Sequence, residues 1–330
     1  RDEFMLSIKQ ILDLKHDKAN FMTIFCPPPL HLKLTRFFTN LLIPKKKVLQ
    51  DCTFSYSDLN SSSQQNKASK CLKNFSFFIV KDFLKNKNYN NISEKIEKNI
   101  LNDYKKFVPS EINIKDSFGK VSKTDTKKVI KKDLFNISLR GVSYFCKKIN
   151  RKVGYDVNFY EVINYEKSEF IKKIKLQELL KNFDKRLNDI KLDNIIYEAN
   201  SKKIKKKINK IYFHKNVEEP RPFHIDTYNK SIKAFLCFNT FKNFDNGPYA
   251  IIPSSHKFKF LHKINNFYNL TFGRNRWFDK MDASFWSSKY SIPFFCNSGD
   301  LIITRQSAIH GAFPAEKKYK RIMMVKHYIS

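Results

Sequence analysis

Two kinds of hydrophobic pattern divide the chain near residue 205. Before it, apolar residues recur every three or four positions, the spacing that places them on one face of an α-helix. The clearest stripe of this kind consists of Leu176, Leu179, Leu180, Phe183 and Leu187. After it, short runs of β-branched and aromatic residues alternate with turn-forming residues, which is typical of strands. The pattern predicts a mainly helical region over 5–204 and a β-rich core over 205–330.

Six short runs in the second half are predicted strands, and they follow one another without intervening helices. Their approximate ranges are 208–213, 233–241, 249–252, 293–296, 301–304 and 321–329. The tripeptide Asn246-Gly247-Pro248 is a strong turn between two of them. Strands at this spacing favour an antiparallel sandwich or barrel over a parallel α/β sheet.

The first half carries weaker signals. Residues 1–4, before Met5, are interpreted as an expression scar and left out of the fold. The apolar run over 75–80 predicts a core segment, whereas 60–70 is polar and low in complexity and predicts a loop. The charged stretch over 115–132 is interpreted as a surface loop or a lid.

Composition fits one compact domain of 330 residues with a sizeable apolar core. Hydrophobic residues make up 42% of the chain and aromatic residues 15%, including 32 Phe. No apolar run approaches the roughly 18 residues that a membrane-spanning helix needs. The six cysteines are scattered without CxxC pairs, which predicts reduced thiols in a cytoplasmic protein.

The formal charge of +32 comes mostly from lysine. A basic surface attracts nucleic acid, anionic membranes or anionic small molecules. The lysines are dispersed, which favours a solvated surface over a defined groove for nucleic acid. The charge alone names no partner, and a nucleic-acid substrate stays open as an alternative.

The segment His224-Ile225-Asp226 provides two candidate metal ligands. Side chains alternate faces along an extended segment, so His224 and Asp226 point the same way. His310 lies downstream, after a turn and an apolar strand that begins at Leu301. Two histidines and one carboxylate can occupy one face of an octahedral metal and leave three positions open for a bidentate cosubstrate and O2. His224, Asp226 and His310 are the predicted iron ligands.

Arg321 lies eleven residues beyond His310, at the start of the last predicted strand. Alternation puts Arg321, Met323 and Val325 on one face, where a buried guanidinium needs an anion. Arginine grips a carboxylate through two parallel hydrogen bonds. The distal carboxylate of 2-oxoglutarate fits this role.

Taken together, these segments resemble the phytanoyl-CoA dioxygenase family over roughly 205–330. His224 and Asp226 match the iron-binding HxD of that family, and the segment over 246–256 is similar to its NG…iPGSH sequence, with Ser254 at the usual glycine. Ser298-Gly299-Asp300-Leu301 resembles its GD strand. His310 and Arg321 keep its eleven-residue offset.

The resemblance implies a double-stranded β-helix (jelly-roll or cupin-like) core with flanking helices. It also implies an Fe(II)- and 2-oxoglutarate-dependent dioxygenase, which uses O2 to hydroxylate an unactivated C–H bond of a small anionic or acyl-type substrate. Related halogenases lack the carboxylate ligand, so Asp226 favours hydroxylation. Arg221, Asn239 and Thr240 are further candidate contacts to the cosubstrate or the substrate, and His256 and His327 are interpreted as structural.

Two other functions stay open at this point. One is an oxygenase acting on nucleic acid, which would need exposed aromatic rings beside a basic groove. The other is a non-enzymatic β-sandwich binding module in which the histidines and Asp226 hold a structural metal or nothing. A structural zinc site is usually closed by four protein ligands, whereas three ligands with an arginine nearby predict an open site.

Overall fold

The computed structural model describes just over half of the chain, in segments that include most of the β-rich second half. The described residues are 44–84, 89–98 (except 90 and 97), 111–115, 121–125, 137–139, 142–144, 155–160, 176–217, 224–227, 230–257, 281–282, 291–312 and 319–330. None of the helices in these segments is long and apolar enough to cross a lipid bilayer.

The helices and strands of the described segments are numbered here in chain order. The helices are α1 (Lys45–Asp51), α2 (Ser62–Phe75), α3 (Gln177–Asp189) and α4 (Leu192–Asn200). The strands of the first half are β1 (Thr53–Ser55), β2 (Phe77–Lys81), β3 (Glu111–Lys115), β4 (Val121–Asp125), β5 (Ile137–Leu139), β6 (Val142–Tyr144) and β7 (Tyr155–Tyr160). Those of the second half are β8 (Lys206–Val217), β9 (His224–Ile225), β10 (Ile232–Cys237), β11 (Tyr249–Ile251), β12 (Met281–Asp282), β13 (Ile292–Pro293), β14 (Leu301–Arg305), β15 (His310–Ala312) and β16 (Tyr319–Ile329).

The strands form two main sheets. The large sheet has nine strands in the order β1-β2-β14-β10-β16-β8-β7-β6-β5, and the small sheet has five in the order β12-β9-β15-β11-β13. A separate pair joins β3 and β4. The chain alternates between the large and the small sheet from β8 to β11, stays in the small sheet for β12 and β13, and alternates again from β14 to β16. The predicted antiparallel β-rich second half is confirmed.

The core lies between the facing sides of these two sheets. Phe235 of β10 is paired with Val325 of β16, and its ring lies 5.2 Å from that of Tyr249 in the small sheet, measured between centroids. Side chains on the same side of β10 and β16 as Phe235 and Val325 therefore face the interior. Residues two and four positions away share that face because strand side chains alternate.

The helices cover the large sheet. The predicted stripe on α3 is buried at Leu179, Leu180, Phe183 and Leu187. The ring of Phe183 packs edge-on against that of Phe83, at a centroid distance of 5.9 Å. Burial of these side chains, at roughly 1.5–3 kcal/mol each, is what holds a helix of this polarity against the sheet.

The first half contains more β-structure than its sequence pattern predicts. The region 5–204 was expected to be mainly helical, yet β1, β2, β5, β6 and β7 all belong to the large sheet. The expected surface loop over 115–132 includes β4. In β2, Phe77 to Val80 are all buried because the strand pairs with β14 and carries apolar side chains on both faces. A continuous apolar run of this length does not distinguish a strand from a buried helical turn.

Helix α2 occupies the segment that was predicted to be a loop. Its N-cap is Ser61, whose side chain accepts a hydrogen bond from the backbone N–H of Gln64. The helix buries Ala68, Cys71 and Leu72, although its mean composition is polar. The small size of this apolar face explains why the sequence pattern missed the helix.

The segment Ser298-Gly299-Asp300 fixes the entry into β14. Asp300 is buried and accepts hydrogen bonds from Lys81 Nζ (2.7 Å), Asp82 N (2.9 Å) and Asn297 N (2.8 Å). Gly299 has φ +91°, and a Cβ placed on it would lie 2.3 Å from the carbonyl oxygen of Leu84. Only glycine accommodates both this backbone conformation and this close approach.

Gly299→Ala is expected to destabilise the protein by at least about 2 kcal/mol, because backbone strain and overpacking each cost roughly 1–3 kcal/mol. Chemical denaturation measures the change, with Ser298→Ala as the neighbouring control. Equal midpoints for Gly299→Ala and the parent protein would contradict this account of the turn.

Candidate metal centre

The small sheet brings the three predicted metal ligands together. Strand β15 lies between β9 and β11, and His310 is the direct cross-strand partner of His224. The centroids of the two imidazole rings are 4.6 Å apart. Asp226 follows β9 immediately, and its backbone N–H donates to the carbonyl oxygen of Gln306 at 3.2 Å. This last contact ties the carboxylate to the turn that leads into His310.

The donor atoms of the three side chains converge on one point. His224 Nε2 lies 3.2 Å from Asp226 Oδ1, and His310 Nε2 lies 3.8 Å from Asp226 Oδ2. All three ligand atoms lie within 4.8 Å of one another. Ligands about 2.0–2.2 Å from a shared ion, at right angles to each other, would be separated by about 3 Å. The three donors could hold one divalent cation if these separations shortened toward that value.

His310 is held in the form that binds metals. Its Nδ1 lies 2.9 Å from the carbonyl oxygen of Ala308, to which it donates, so the lone pair on Nε2 faces Asp226. Burial, together with the neighbouring His224, lowers the pKa of His310 to about 3. The imidazole is therefore neutral at physiological pH. Its ring stacks on that of Tyr249 at 5.5 Å and 18°.

Arg321 lies on the interior face of the large sheet, as alternation predicts. It is buried, with 7% of its surface exposed, and its Nη1 donates to the carbonyl oxygen of Gly247 at 3.2 Å. Val325 lies four residues after Arg321 on β16, about 13 Å away between Cα atoms. Val325 is the cross-strand partner of Phe235, whose ring contacts that of Tyr249. The guanidinium of Arg321 contacts the turn that precedes β11.

Asn239 and Thr240 make contacts that anchor neighbouring segments. Asn239 Oδ1 accepts from the backbone N–H of Ile322 at 2.8 Å, and its Nδ2 lies 3.2 Å from Ser93 Oγ, to which it donates. Thr240 Oγ1 accepts from the N–H of Ser298 at 3.2 Å. These bonds fix β16 and the turn before β14, and a cosubstrate contact by either residue stays a prediction.

The two histidines interpreted as structural each contact a serine hydroxyl. His256 contacts Ser76 Oγ through Nδ1 and the carbonyl oxygen of Lys73 through Nε2 at 2.9 Å. His327 Nε2 contacts Ser231 Oγ. Arg221, another candidate polar contact, lies outside the described residues.

Lys233 is the residue of the centre that the sequence did not reveal. It is only 7% exposed, and its ammonium group contacts Asp226 Oδ2. A signal was present, because Lys233 is the one charged residue in the otherwise apolar strand Ile232–Cys237. In a chain with so many lysines, that signal is easily taken for surface charge.

Comparisons with known proteins leave the family open. No family model matches the chain, and no curated protein matches it. Among solved structures, it is similar to AviO1 from Streptomyces viridochromogenes Tue57 (14% identity, 82% of this chain and 96% of that one, TM-score 0.44). It is also similar to the epimerase SnoN in complex with Fe3+, alpha ketoglutarate and nogalamycin RO (9% identity, 82% and 85%, TM-score 0.44). A third is HygX from Streptomyces hygroscopicus with nickel and 2-oxoglutarate bound (10% identity, 82% and 87%, TM-score 0.44). At these values none of the three assigns a fold, metal or reaction to this chain.

His310→Ala is expected to weaken Mn(II) binding by at least the roughly 10–100-fold that follows loss of a residue supporting a metal ligand. Isothermal titration calorimetry measures this affinity. His256→Ala is the matched control, because it removes a histidine from the same half of the chain without touching the centre. Identical Mn(II) affinities for the two variants would mean that His310 is not a ligand.

Proposed function

We propose that the protein is an Fe(II)- and 2-oxoglutarate-dependent dioxygenase that hydroxylates an unactivated C–H bond of a small, anionic or acyl-type substrate. The observation that carries this proposal is the convergence of His224, Asp226 and His310 from two paired strands. Two imidazoles and one carboxylate are the donor set of non-haem iron oxygenases. The three residues that the sequence predicted as ligands have donor atoms within 4.8 Å of one another.

The number of donors supports an open centre over a structural one. Among the described residues, the cluster of possible metal ligands contains three side chains, whereas a structural zinc site is generally closed by four. Three open positions suit a bidentate 2-oxo acid and O2. The carboxylate of Asp226 fills the place that a halide would need, which favours hydroxylation over halogenation.

We infer further that the two main sheets form a double-stranded β-helix. Most of the connections between consecutive strands from β8 to β16 pass from one sheet to the other, which supports it, and so does the position of the ligands on β15 and on or directly after β9 of the small sheet. In such a core the interior between the sheets receives the cosubstrate. Here that interior is lined by Phe235, Tyr249 and Met323, all buried.

These positions assign a role to the metal ligands, to Arg321 and to the apolar side chains between them. Bound Fe(II) would supply the activation of O2, with oxidative decarboxylation of 2-oxoglutarate to succinate. His224, Asp226 and His310 would hold the ion, and Arg321 would grip the distal carboxylate. The apolar rings between them would keep water from the reacting groups.

Asp226→Ala is expected to abolish succinate formation from 2-oxoglutarate at saturating Fe(II), because it removes the anionic ligand. The loss should be at least about 100-fold, the upper end for residues that only support a ligand. Asp193→Ala, an exposed aspartate on α4 that pairs with Lys207, is the control and should keep full activity. Release of succinate is measured with a panel of anionic and acyl substrates, or as slow uncoupled turnover.

Equal succinate formation by Asp226→Ala and the parent protein would remove the dioxygenase proposal. Metal binding without any 2-oxoglutarate turnover would favour a non-enzymatic module. Turnover that responds only to oligonucleotides would favour a nucleic-acid oxygenase.

Arg321→Lys is expected to weaken 2-oxoglutarate binding by about tenfold or more, since a hydrogen bond to a charged group contributes roughly 1.5–3 kcal/mol. Arg305→Lys is a matched control. Arg305 is also buried in the large sheet, but its Nη2 donates to the carbonyl oxygen of Ala199 in α4. Calorimetry with the metal-loaded protein measures the 2-oxoglutarate affinity of both variants. Equal affinities would show that Arg321 does not bind the distal carboxylate.

A further inference from the structure

The cysteines are scattered along the sequence, but the four described ones meet in space as two pairs. Cys52 and Cys71 share a hydrogen bond between their thiols, and so do Cys237 and Cys296. All four are free thiols, and all four are buried. The absence of CxxC pairs from the sequence therefore does not mean that these thiols are isolated from one another.

The backbone holds the thiols of Cys52 and Cys71 against each other. Cys52 caps the C-terminal end of α1, where its N–H donates to the carbonyl oxygen of Val48 at 3.0 Å, and its own carbonyl accepts from Ile79 of β2 at 2.8 Å. Cys71 lies in α2, and its Sγ is 3.6 Å from the carbonyl oxygen of Asp51. A disulfide needs two side chains that face each other across Cβ atoms roughly 3.5–4.5 Å apart. Thiols that share a hydrogen bond already face each other.

The thiol of Cys71 is the more reactive member of its pair. Cys52 donates the shared hydrogen bond, and this bond holds the pKa of Cys71 below its ordinary value. The ammonium of Lys67, one helical turn earlier on α2, also lowers the pKa of Cys71, against the opposing effect of burial. In the other pair, the hydrogen bond with Cys296 and burial raise the pKa of Cys237 well above its usual range. Because the thiolate is the nucleophilic form of cysteine, Cys71 is the attacking group.

A bound metal does not account for the pair. Among the described residues, the group of three or more side chains that could share a metal ion is the centre at His224, Asp226 and His310. Cys52 and Cys71 therefore have no third ligand in that part of the chain. Two facing thiols of unequal reactivity suit a reversible disulfide instead.

We infer that Cys52 and Cys71 form a redox site, which hydrogen peroxide oxidises to a disulfide and a small thiol such as glutathione reduces again. The Cys71 thiolate attacks one oxygen of the peroxide, so that an S–O bond forms, the O–O bond breaks, and the leaving hydroxide takes up the proton of the Cys71 thiol as water. The Cys52 sulfur then attacks the Cys71 sulfur. The S–S bond forms, the S–O bond breaks, and a second water leaves with the proton of Cys52. Two electrons pass from the sulfurs to the peroxide, and two molecules of the small thiol return them by exchange.

The disulfide ties α1 to the helix that supports the segment before His310. At the C-terminal end of α2, the carbonyl oxygen of Asn74 accepts from Ser254 Oγ at 2.8 Å. The next residue, Ser255, accepts through its Oγ from the backbone N–H of Ile309 at 2.8 Å. Ile309 directly precedes His310. Oxidation therefore fixes a helix that lies two hydrogen bonds from a candidate metal ligand, although the redox site itself does not depend on the proposed function.

The test exposes the reduced parent protein to hydrogen peroxide under native conditions, with a chelator present so that trace iron does not react with the peroxide. Remaining thiols are alkylated, and the protein is digested with trypsin and mapped by mass spectrometry without reduction. Lysines between Cys52 and Cys71 place the two residues in different peptides. We expect a peptide that joins Cys52 to Cys71, formed at least about tenfold faster than one that joins Cys237 to Cys296. Reduced glutathione should reverse it.

Single substitutions separate the attacking thiol from its partner. Cys52→Ser should stop the oxidation at the sulfenic acid of Cys71, which dimedone labels, whereas Cys71→Ser should leave Cys52 as a free thiol. Cys237→Ser is the matched control, because it removes a buried thiol of the other pair, and it should keep the link between Cys52 and Cys71.

The result for the parent protein decides the question even if a variant does not fold. Free thiols at Cys52 and Cys71 after peroxide treatment would overturn the inference. A link between them that glutathione does not reverse would also overturn it, since the disulfide would then be a permanent structural bond.

Discussion

The pairing of β15 with β9 is the constraint on which the candidate site depends. It places His310 directly opposite His224, and a shift of one residue would turn either imidazole to the other face of the sheet. Strand β9 spans only two residues, so its own hydrogen bonds hold the register weakly. The contact between Asp226 and Gln306 adds a second tie between β9 and the segment before β15, and β15 is itself fixed on its other side by pairing with β11 from Tyr249 to Ile251.

The interior combines two environments that oppose each other energetically. Aromatic and aliphatic side chains lower the effective dielectric constant of the space between the sheets, and this strengthens the electrostatic interactions within it. Lys233 and Asp226 are stable there because each offsets the charge of the other. Burial in the same apolar space lowers the pKa of His310, so the imidazole stays neutral and can bind a metal. Apolar packing between the sheets therefore influences both the ion pair of Lys233 with Asp226 and the protonation of His310.

Sequence pattern predicted the parts of this arrangement that depend on local alternation. The shared face of His224 and Asp226 and the interior position of Arg321 follow from period-two spacing, and six strands of the second half follow from short β-rich runs between turn residues. The partnership of His310 with His224 was expected from chemistry, but its register depends on pairing across 86 residues, which no local pattern encodes. Helix α2 was missed because its apolar face is small, and β2 because apolar residues on both faces hide the alternation. Lys233 was missed because its contact with Asp226 depends on the folded structure and leaves no pattern in the sequence.

The most direct measurement of the central claim is the anaerobic absorption spectrum of the Fe(II)-loaded protein before and after addition of 2-oxoglutarate. A 2-oxo acid that chelates Fe(II) through its carboxylate and keto oxygens produces a visible charge-transfer band, which neither component gives alone. We expect this band to appear and to saturate at one 2-oxoglutarate per iron. Stoichiometric Fe(II) binding without the band, at 2-oxoglutarate concentrations in large excess, would contradict it.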